Sequence, residues 1–379
     1  MECADMQSGL YADALRPIMI GPLEGFLIFA VSTVVFDLIH LTLHRMQESR
    51  FSYIRNLGAL HIQHHEFFDN RLVNHEALWR SNFIYHLLPE FAVQLAITST
   101  FLFVLNPYPV LVAICLEVGF FLFVVYHRGK DPNHTSPDKA SRPSMNLYVF
   151  PNYHAYHHRF PHAYFSSWFR FTDFVFGHSW HAEGQHVLLT GSNGALGKEM
   201  YKRFLKMGST VDIAVYGKDY DRENNEAFRV KAQTADLLVL CHGSKNDMHW
   251  SHVTSQMELT EIFIRESRNP VPEIWGLGSE IEFHPALYEK DKNYELAKRE
   301  FAGFASKLFR RNDILYRHLV PSAFQSTYGS APISAKPLAW LAFFSIKRGF
   351  RYVPLTYTGV AWLNYFKFRW RAARSRTMS

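Results

Sequence analysis

Two long apolar regions occupy the first third of the chain, and only short alternating bursts of hydrophobicity follow. Residues 17 to 39 carry the run GFLIFAVSTVVFDLI, with Glu24 near its start, and predict one helix long enough to cross a bilayer. A second apolar region, residues 83 to 126, is broken at Asn106-Pro107-Tyr108-Pro109. It predicts a helical hairpin of two spans, FAVQLAITSTFLFVL and VLVAICLEVGFFLFVVY. Arg45, Arg50, Arg55, Arg71 and Arg80 lie between the first span and the hairpin, which makes that loop cytoplasmic by the positive-inside rule. The hairpin returns the chain to the same side, so His127 onward is expected there too, with the N-terminus on the other. Glu90 and Glu117, within or at the edge of the hairpin, read as helix–helix or interfacial contacts rather than catalytic groups.

From His186 the period changes. HVLLTGSNGALGKEMYKRFL reads as strand, glycine turn and helix, TVDIAVYG as a second strand and LLVLCHG as a third, with an amphipathic segment from Asn224 to Gln233 between them. Strands alternating with helices imply a parallel sheet covered on both faces. The C-terminal stretches AWLAFFSIKRGF and VAWLNYFKFRWRAARSR are apolar-aromatic and then basic, with Lys367, Arg369, Arg371, Arg374 and Arg376 unaccompanied by any acid. Lys347, Arg348 and Arg351 interrupt the apolar pattern, so an interfacial segment on an anionic leaflet is expected rather than a fourth span.

Composition narrows the partners. The net charge of +6 admits nucleic acid or a membrane surface. No zinc-finger or RRM-like signature accompanies it, and aromatics at 16% suit a bilayer interface, so a membrane and not nucleic acid is expected. Cys3, Cys115 and Cys241 make no metal or redox spacing, which fits a reducing compartment. The acidic start (Glu2, Asp5, Asp13) lacks the basic opening of a cleaved signal peptide.

Histidine is the informative residue. Of the 21, sixteen lie at or before His186, and only His242, His249, His252, His284 and His318 follow. His40 and His44 are spaced i, i+4 at the cytoplasmic end of the first span. His61, His64 and His65 form an HxxHH box, and His154, His157 and His158 form another. Positions i, i+3 and i+4 share one helix face, so each box aims its imidazoles into one place. A chance HxxHH is expected about 0.06 times in a chain of this histidine content, so two of them point to ligation. Eight imidazoles exceed what one tetrahedral ion uses and fit two metals with room for oxygen.

The order HxxxH, HxxHH, HxxHH, interleaved with apolar spans, resembles the fatty acid hydroxylase and sterol desaturase superfamily. FPNYHAYHHRF resembles its final box, and SSWFRFTDFVFGH the tryptophan, aspartate and phenylalanine-glycine pattern after it. The resemblance covers roughly residues 20 to 180. It implies a non-haem di-iron centre, two iron ions using O2 and an external electron donor to attack an unactivated C–H bond of a lipid. It also implies further ligands at His127, His134 and His75. His86, His162, His178 and His181 are expected to support the site from outside or to lie at the surface.

In the second half, Thr190-Gly191-Ser192-Asn193-Gly194-Ala195-Leu196-Gly197 joins a strand to a helix. Glycines there let the backbone approach a pyrophosphate while the helix N-terminus supplies positive potential. TGxxGxxG resembles the short-chain dehydrogenase fingerprint, and LLVLCHG, with Gly243, stands where that family has an NNAG-like stretch. Two Tyr-x-x-x-Lys pairs exist, Tyr288 with Lys292 and Tyr294 with Lys298. YELAKREFAGF resembles the family's active-site helix, which selects the second pair. The resemblance makes Tyr294 the acid/base, Lys298 the group that lowers its pKa and holds the ribose, and Ser279 the residue that polarises a carbonyl. Gly191, Ser192, Asn193, Gly194, Leu196, Gly197, Lys218 and Gly243 would bind the nucleotide. Lys218, ahead of Asp219, leans toward NADP over NAD.

The pattern departs from the family in three places. One strand–helix unit is missing between the second and third strands, Cys241 and His242 replace an asparagine-alanine pair, and Gln256-Met257-Glu258 stands where the next helix would carry an asparagine.

The expected fold is a membrane all-α histidine-box domain over residues 1–183 followed by an α/β Rossmann-like, short-chain-dehydrogenase-like domain over 184–379. The expected protein is a multi-pass membrane enzyme with both sites on the cytoplasmic face. It would hydroxylate or desaturate a fatty acyl, sterol or carotenoid-like lipid and interconvert alcohol and carbonyl with NAD(P). Two other readings use the same residues. One is a long-chain aldehyde-processing protein of the plant-wax type, and the other an oxygenase with a non-catalytic nucleotide-binding module.

Overall fold

The computed structural model describes residues 2–69, 73–130, 134, 147–149, 153–269, 271–327 and 329–374, with side chains from residue 20 onward except Leu60. Arg71, Arg376 and the side chain of Cys3 therefore lie outside the described residues. The chain separates into two compact units, Met1–His178 and Ser179–Ser379. Trp180 and Ala182 already pack into the core of the second, with Phe204, Trp275 and Phe343.

In the first unit α1 (Glu2–Gln47) is one continuous helix that extends well beyond the apolar run. Two short helices follow, α2 (Ser52–Gly58) and α3 (Ile62–Phe67). Next comes a helical stretch that begins earlier than the hydrophobic pattern suggests. A 3-10 turn leads into α4 (Trp79–Asn82), a π-helical turn (Phe83–Leu87) and α5 (Leu88–Thr100). Pro89 has no N–H to give to the carbonyl of Tyr85, which disturbs the regular α ladder at this π turn. At the hairpin break, the Asn106 side chain accepts from the Tyr108 N–H at 3.0 Å and opens α6 (Pro107–Tyr126), with proline in the first turn where its missing donor costs nothing.

Three helices, Ile20–Gln47, Glu76–Phe103 and Pro107–Tyr126, are long and apolar enough to cross a membrane. Ile28 and Phe29 of α1 pack on Val110 and Ala113 of α6. Two short helices, α7 (Tyr153–Arg159) and α8 (Phe171–Phe176), complete the unit.

The second unit is a six-stranded parallel sheet in the order β2-β1-β3-β4-β5-β6, formed by β1 (His186–Thr190), β2 (Thr210–Ala214), β3 (Leu237–Leu240), β4 (Glu273–Leu277), β5 (Leu315–Pro321) and β6 (Tyr352–Leu355). Its central strands are apolar on both faces, as a doubly covered sheet requires. Leu188, Leu238, Leu240, Ile274 and Tyr316 feed one core, while Val187, Leu189, Leu237, Val239 and Trp275 feed the other. The helices are α9 (Ala195–Lys206), α10 (Glu226–Ala232), α11 (Ser255–Glu266), α12 (Lys292–Leu308), α13 (Ala335–Lys347) and α14 (Val360–Arg374). Among the described residues β2 is the sheet edge, and the chain passes from it through α10 to the other side of β1. No strand lies beyond β2, which is the missing strand–helix unit.

The C-terminal interfacial segment needs correction in part. α13 is a core helix, because Leu338, Ala339, Ala342, Phe343 and Ile346 cover the sheet. α14 buries Ala361, Asn364, Phe368 and Ala372 while exposing Trp362, Leu363, Phe366 and Trp370 beside its basic residues.

Candidate functional site

The first site is a knot of imidazoles built by α1, the 3-10 turn Ala59–His61, α3, α7 and His134. His40, His44, His61 and His157 bring one donor atom each within 4.8 Å of one another, and so do His64, His134, His154 and His158. His65 lies between the groups, its ring 4.9 Å from His157 and 4.6 Å from His158. Each HxxHH box thus supplies both groups.

The orientation of the rings has a visible cause. Nδ1 of His157 donates to the Ala163 carbonyl at 2.8 Å, Nδ1 of His158 to the Phe68 carbonyl at 2.9 Å, and Nδ1 of His40 faces the Phe165 carbonyl at 3.3 Å. A proton held at Nδ1 leaves Nε2 with its lone pair toward the cluster. Asp173 frames the loop that carries two of these carbonyls. It accepts from the Phe165 and Ser166 N–H groups and from the Tyr153 hydroxyl. This is the physical role of the aspartate in SSWFRFTDFVFGH.

The donor set fits a metal. His61 Nε2 lies 2.8 Å from His40 Nε2 and 3.1 Å from His65 Nε2, and His64 Nε2 lies 3.0 Å from His134 Nε2 and 3.1 Å from His158 Nε2. One N–H cannot serve two such neighbours, so the cluster holds more inward lone pairs than protons. Two nitrogens bound at right angles, each about 2.1 Å from one ion, would lie about 3.0 Å apart. His154 Nδ1 is buried without a hydrogen-bond partner among the described residues. Burial, reinforced by neighbouring imidazoles, holds His61, His64, His154, His157 and His158 well below the ordinary histidine range and His65 at about 4. They are therefore neutral near pH 7, the form that ligates.

Two expected ligands are corrected. His75 is half exposed and faces Asp69 at 3.4 Å, because it precedes the 3-10 turn that leads away from α3. His127 ends α6 exposed, its ring against Phe123 and Tyr126, because the helix delivers it outward. His86, expected to support the site from outside or to lie at the surface, packs against the cluster without joining either group of four: its ring stacks on His64 at 3.9 Å, and Nε2 meets Glu90 at 3.2 Å. Pro89, three residues on, was the available signal, since it marks the π turn that carries this histidine.

The second site lies past the carboxyl ends of β1 and β3, where the strand order reverses and doubly wound sheets bind ligands. Gly191 has φ +68°, and a Cβ there would sit 2.5 Å from the Cys241 carbonyl carbon and the His242 nitrogen. A Cβ on Gly197 would meet the Gly191 oxygen at 2.1 Å, so this glycine sets how closely α9 approaches the loop. Ser192, Asn193 and Gly194 lead into the N-terminus of α9, while Leu196 is buried behind them. Asp219 is spent on the fold, accepting from the Val215 N–H at 2.8 Å and from Lys231 at 2.7 Å. Lys218 stands exposed beside it.

Ser279, Tyr294 and Lys298 come together. Ser279 hydrogen-bonds Tyr294 and caps the short turn that follows, with Glu282 closing the box. Lys298 donates to the Leu277 carbonyl at 2.7 Å, its Nζ 5.7 Å from the centre of the Tyr294 ring. Burial pushes Tyr294 up to about 12 and Lys298 down to about 8. The expected lowering of the phenol by Lys298 is thus not seen; burial prevails. Tyr288 and Lys292 lie at the surface, with Lys292 paired to Glu289.

Two further histidines stand here. His242 links Thr190 Oγ1 at 2.7 Å to Ser255 Oγ at 2.9 Å, and Gln256 Nε2 donates to the His242 carbonyl at 3.0 Å. The His252 ring lies 5.2 Å from that of Tyr294 and occupies the space where a Cβ of Gly243 would go. Burial takes His242 down to about 3 and His252 to about 2, so both are neutral. His242 was visible as a departure from the asparagine-alanine pattern; nothing local in the sequence marked His252.

No protein-family model matches the chain, and no curated protein matches it. Solved structures similar to part of it include a short-chain dehydrogenase from Burkholderia cenocepacia J2315 in complex with NADP. It is 11% identical, covering 53% of this chain and 100% of that one, with a TM-score of 0.40. A short-chain dehydrogenase/reductase from Burkholderia phymatum in complex with NAD is 14% identical over 49% of this chain and 93% of its own, with a TM-score of 0.40. A bulky-bulky ketone specific alcohol dehydrogenase from Comamonas testosteroni is 14% identical over 51% and 93%, with a TM-score of 0.41. At these values the doubly wound character of the second unit rests on its own strand order.

Proposed function

We propose that this chain is a membrane-bound lipid oxidoreductase with two active sites. The first unit is a di-iron, O2-dependent oxygenase that hydroxylates or desaturates a lipid. The second interconverts an alcohol and a carbonyl with NAD(P). The observation that carries this reading is the pair of four-imidazole groups beside a cavity walled by Phe36, Phe91, Phe120, Phe121 and Trp168.

Bound iron would supply O2 activation and hydrogen removal from an unactivated C–H bond, drawing electrons from an external donor. The chain does the rest. His40, His44, His61 and His157 would hold one ion and His64, His134, His154 and His158 the other. Backbone carbonyls of Phe68, Ala163 and Phe165 keep the rings aimed, and the aromatic wall excludes water and holds an apolar chain. Comparing lipid extracts of cells with the intact gene and with His64→Ala tests the reading. A lipid 16 Da heavier or 2 Da lighter is expected only with the intact gene, and identical extracts would refute it.

In the second unit, the glycine loop and the N-terminus of α9 would receive the pyrophosphate. Lys218 favours a 2′-phosphate, hence NADP, because Asp219 is already engaged. A non-catalytic nucleotide-binding module is the second reading, favoured by the His252 ring against Tyr294.

The arginines between the first and second spans support a cytoplasmic location for the histidine boxes and the second unit. In protein freed of its native cysteines, a maleimide that cannot cross membranes should reach Asp5→Cys from outside and Ala140→Cys only from the cytoplasm. The opposite pattern would reverse the orientation.

A further inference from the structure

The second and third membrane-length helices carry polar groups that the metal site does not use. His86, Glu90, Gln94 and Thr98 recur every fourth residue, so they form one stripe along α5 and the turn before it. Thr98 donates to Glu117 Oε1 on α6 and pairs with Ser32 of α1 at 2.7 Å, which ties three helices together. That contact explains only half of the carboxyl group. Glu117 is 2% exposed, its Oε2 is buried with no hydrogen-bond partner among the described residues, and its side chain lines the aromatic cavity together with Glu90 and Gln94. Gln94, which is only half-buried, lines the cavity beside it, and its side-chain amide has no hydrogen bond among the described residues.

A buried carboxyl oxygen left unmatched in an apolar span is costly unless something pairs with it. Water is one candidate, but five aromatic side chains wall the same cavity. The stripe fixes a distance: eight helical residues separate His86, which stacks on His64, from Gln94, about 12 Å along the axis.

We propose that Glu117 and Gln94 form a polar subsite inside the lipid cavity, which takes a substrate bearing a hydroxyl group about 12 Å from the carbon presented to the histidine cluster. This rests on the lipid-oxidase reading of the first unit and adds the substrate class: an otherwise apolar lipid with one alcohol, not a plain hydrocarbon chain. A hydroxyl both donates and accepts, so it can satisfy Glu117 Oε2 in either protonation state and the Gln94 amide as well.

The test is binding, independent of turnover. Full-length protein in detergent is equilibrated with radiolabelled 1-octadecanol or octadecane, each corrected for uptake by protein-free micelles. Wild type is expected to retain the alcohol on the order of tenfold more tightly than the alkane. Glu117→Leu should erase that preference and leave octadecane binding unchanged or stronger. Should Glu117→Leu fail to fold, because Oε1 also ties Thr98, Gln94→Leu carries the test, since no internal partner is lost. A wild type without preference, or a folded variant that keeps it, overturns the subsite. Preference without any oxygenation would leave the subsite standing and refute the oxidase, whereas oxygenation without preference does the reverse.

Discussion

His64→Ala and His157→Ala are each expected to abolish the proposed oxygenation, and each to lower the metal content of the purified full-length protein from about two ions per chain to about one. The two substitutions fall in different four-histidine groups, so the double variant should hold almost none. Each removes an imidazole that is buried and pre-aimed: His157 is held by the Ala163 carbonyl, and His64 touches both His134 and His158 through Nε2. Loss even of a group that only orients a ligand typically costs 10- to 100-fold in metal affinity, and losing the ligand itself costs more. Metal analysis alongside thermal melting separates this from unfolding. A well-folded wild type with no bound metal, or two ions and full activity retained in both variants, would refute the di-metal assignment. His75→Ala and His127→Ala should keep both ions, because neither ring reaches the cluster.

Tyr294→Phe should stall the proposed second step by roughly 10²- to 10⁴-fold while the first oxygenation continues, so a hydroxylated or carbonyl lipid is expected to accumulate. The Tyr294 hydroxyl is hydrogen-bonded to Ser279 and pushed up to about 12 by desolvation, so at neutral pH it carries its proton and can donate it. Phenylalanine keeps the ring that packs on His252 and removes only the O–H. Gly194→Asp tests nucleotide binding separately. A Cβ there already approaches the Gly191 oxygen at 3.3 Å, and a carboxylate at the start of α9 opposes an incoming pyrophosphate. Titration with NADP should show binding in Tyr294→Phe and none in Gly194→Asp. If Gly194→Asp loses nucleotide while Tyr294→Phe leaves the lipid products unchanged, the unit binds without catalysing, and the neighbouring His252 is where to look for the cause. If neither variant alters binding or products, the nucleotide assignment falls too.

The sequence by itself determined what is local. An i, i+3, i+4 spacing places His61, His64 and His65 on one side of a helical segment whatever surrounds it, because 3.6 residues per turn leaves no alternative. The same holds for the glycines after β1, which answer to backbone sterics within a few residues, and for the apolar length of the three helices long enough to cross a membrane. Only the tertiary structure decided the partners. His61 joins His40, His44 and His157 while His64, three residues on, joins His134, His154 and His158, since about 4.5 Å of helical rise carries the two rings to different heights in the cluster. His75 and His127 had suitable chemistry but hang on backbone that leads away from that point, whereas the π turn before α5 swings His86 toward it. The unmatched oxygen of Glu117 and the His252 ring against Tyr294 were beyond local reading for the same reason. Whether a polar atom is satisfied, or a ring is in the way, depends on which side chains arrive from elements distant in sequence, and that is settled only when the packed helices and sheet bring them together.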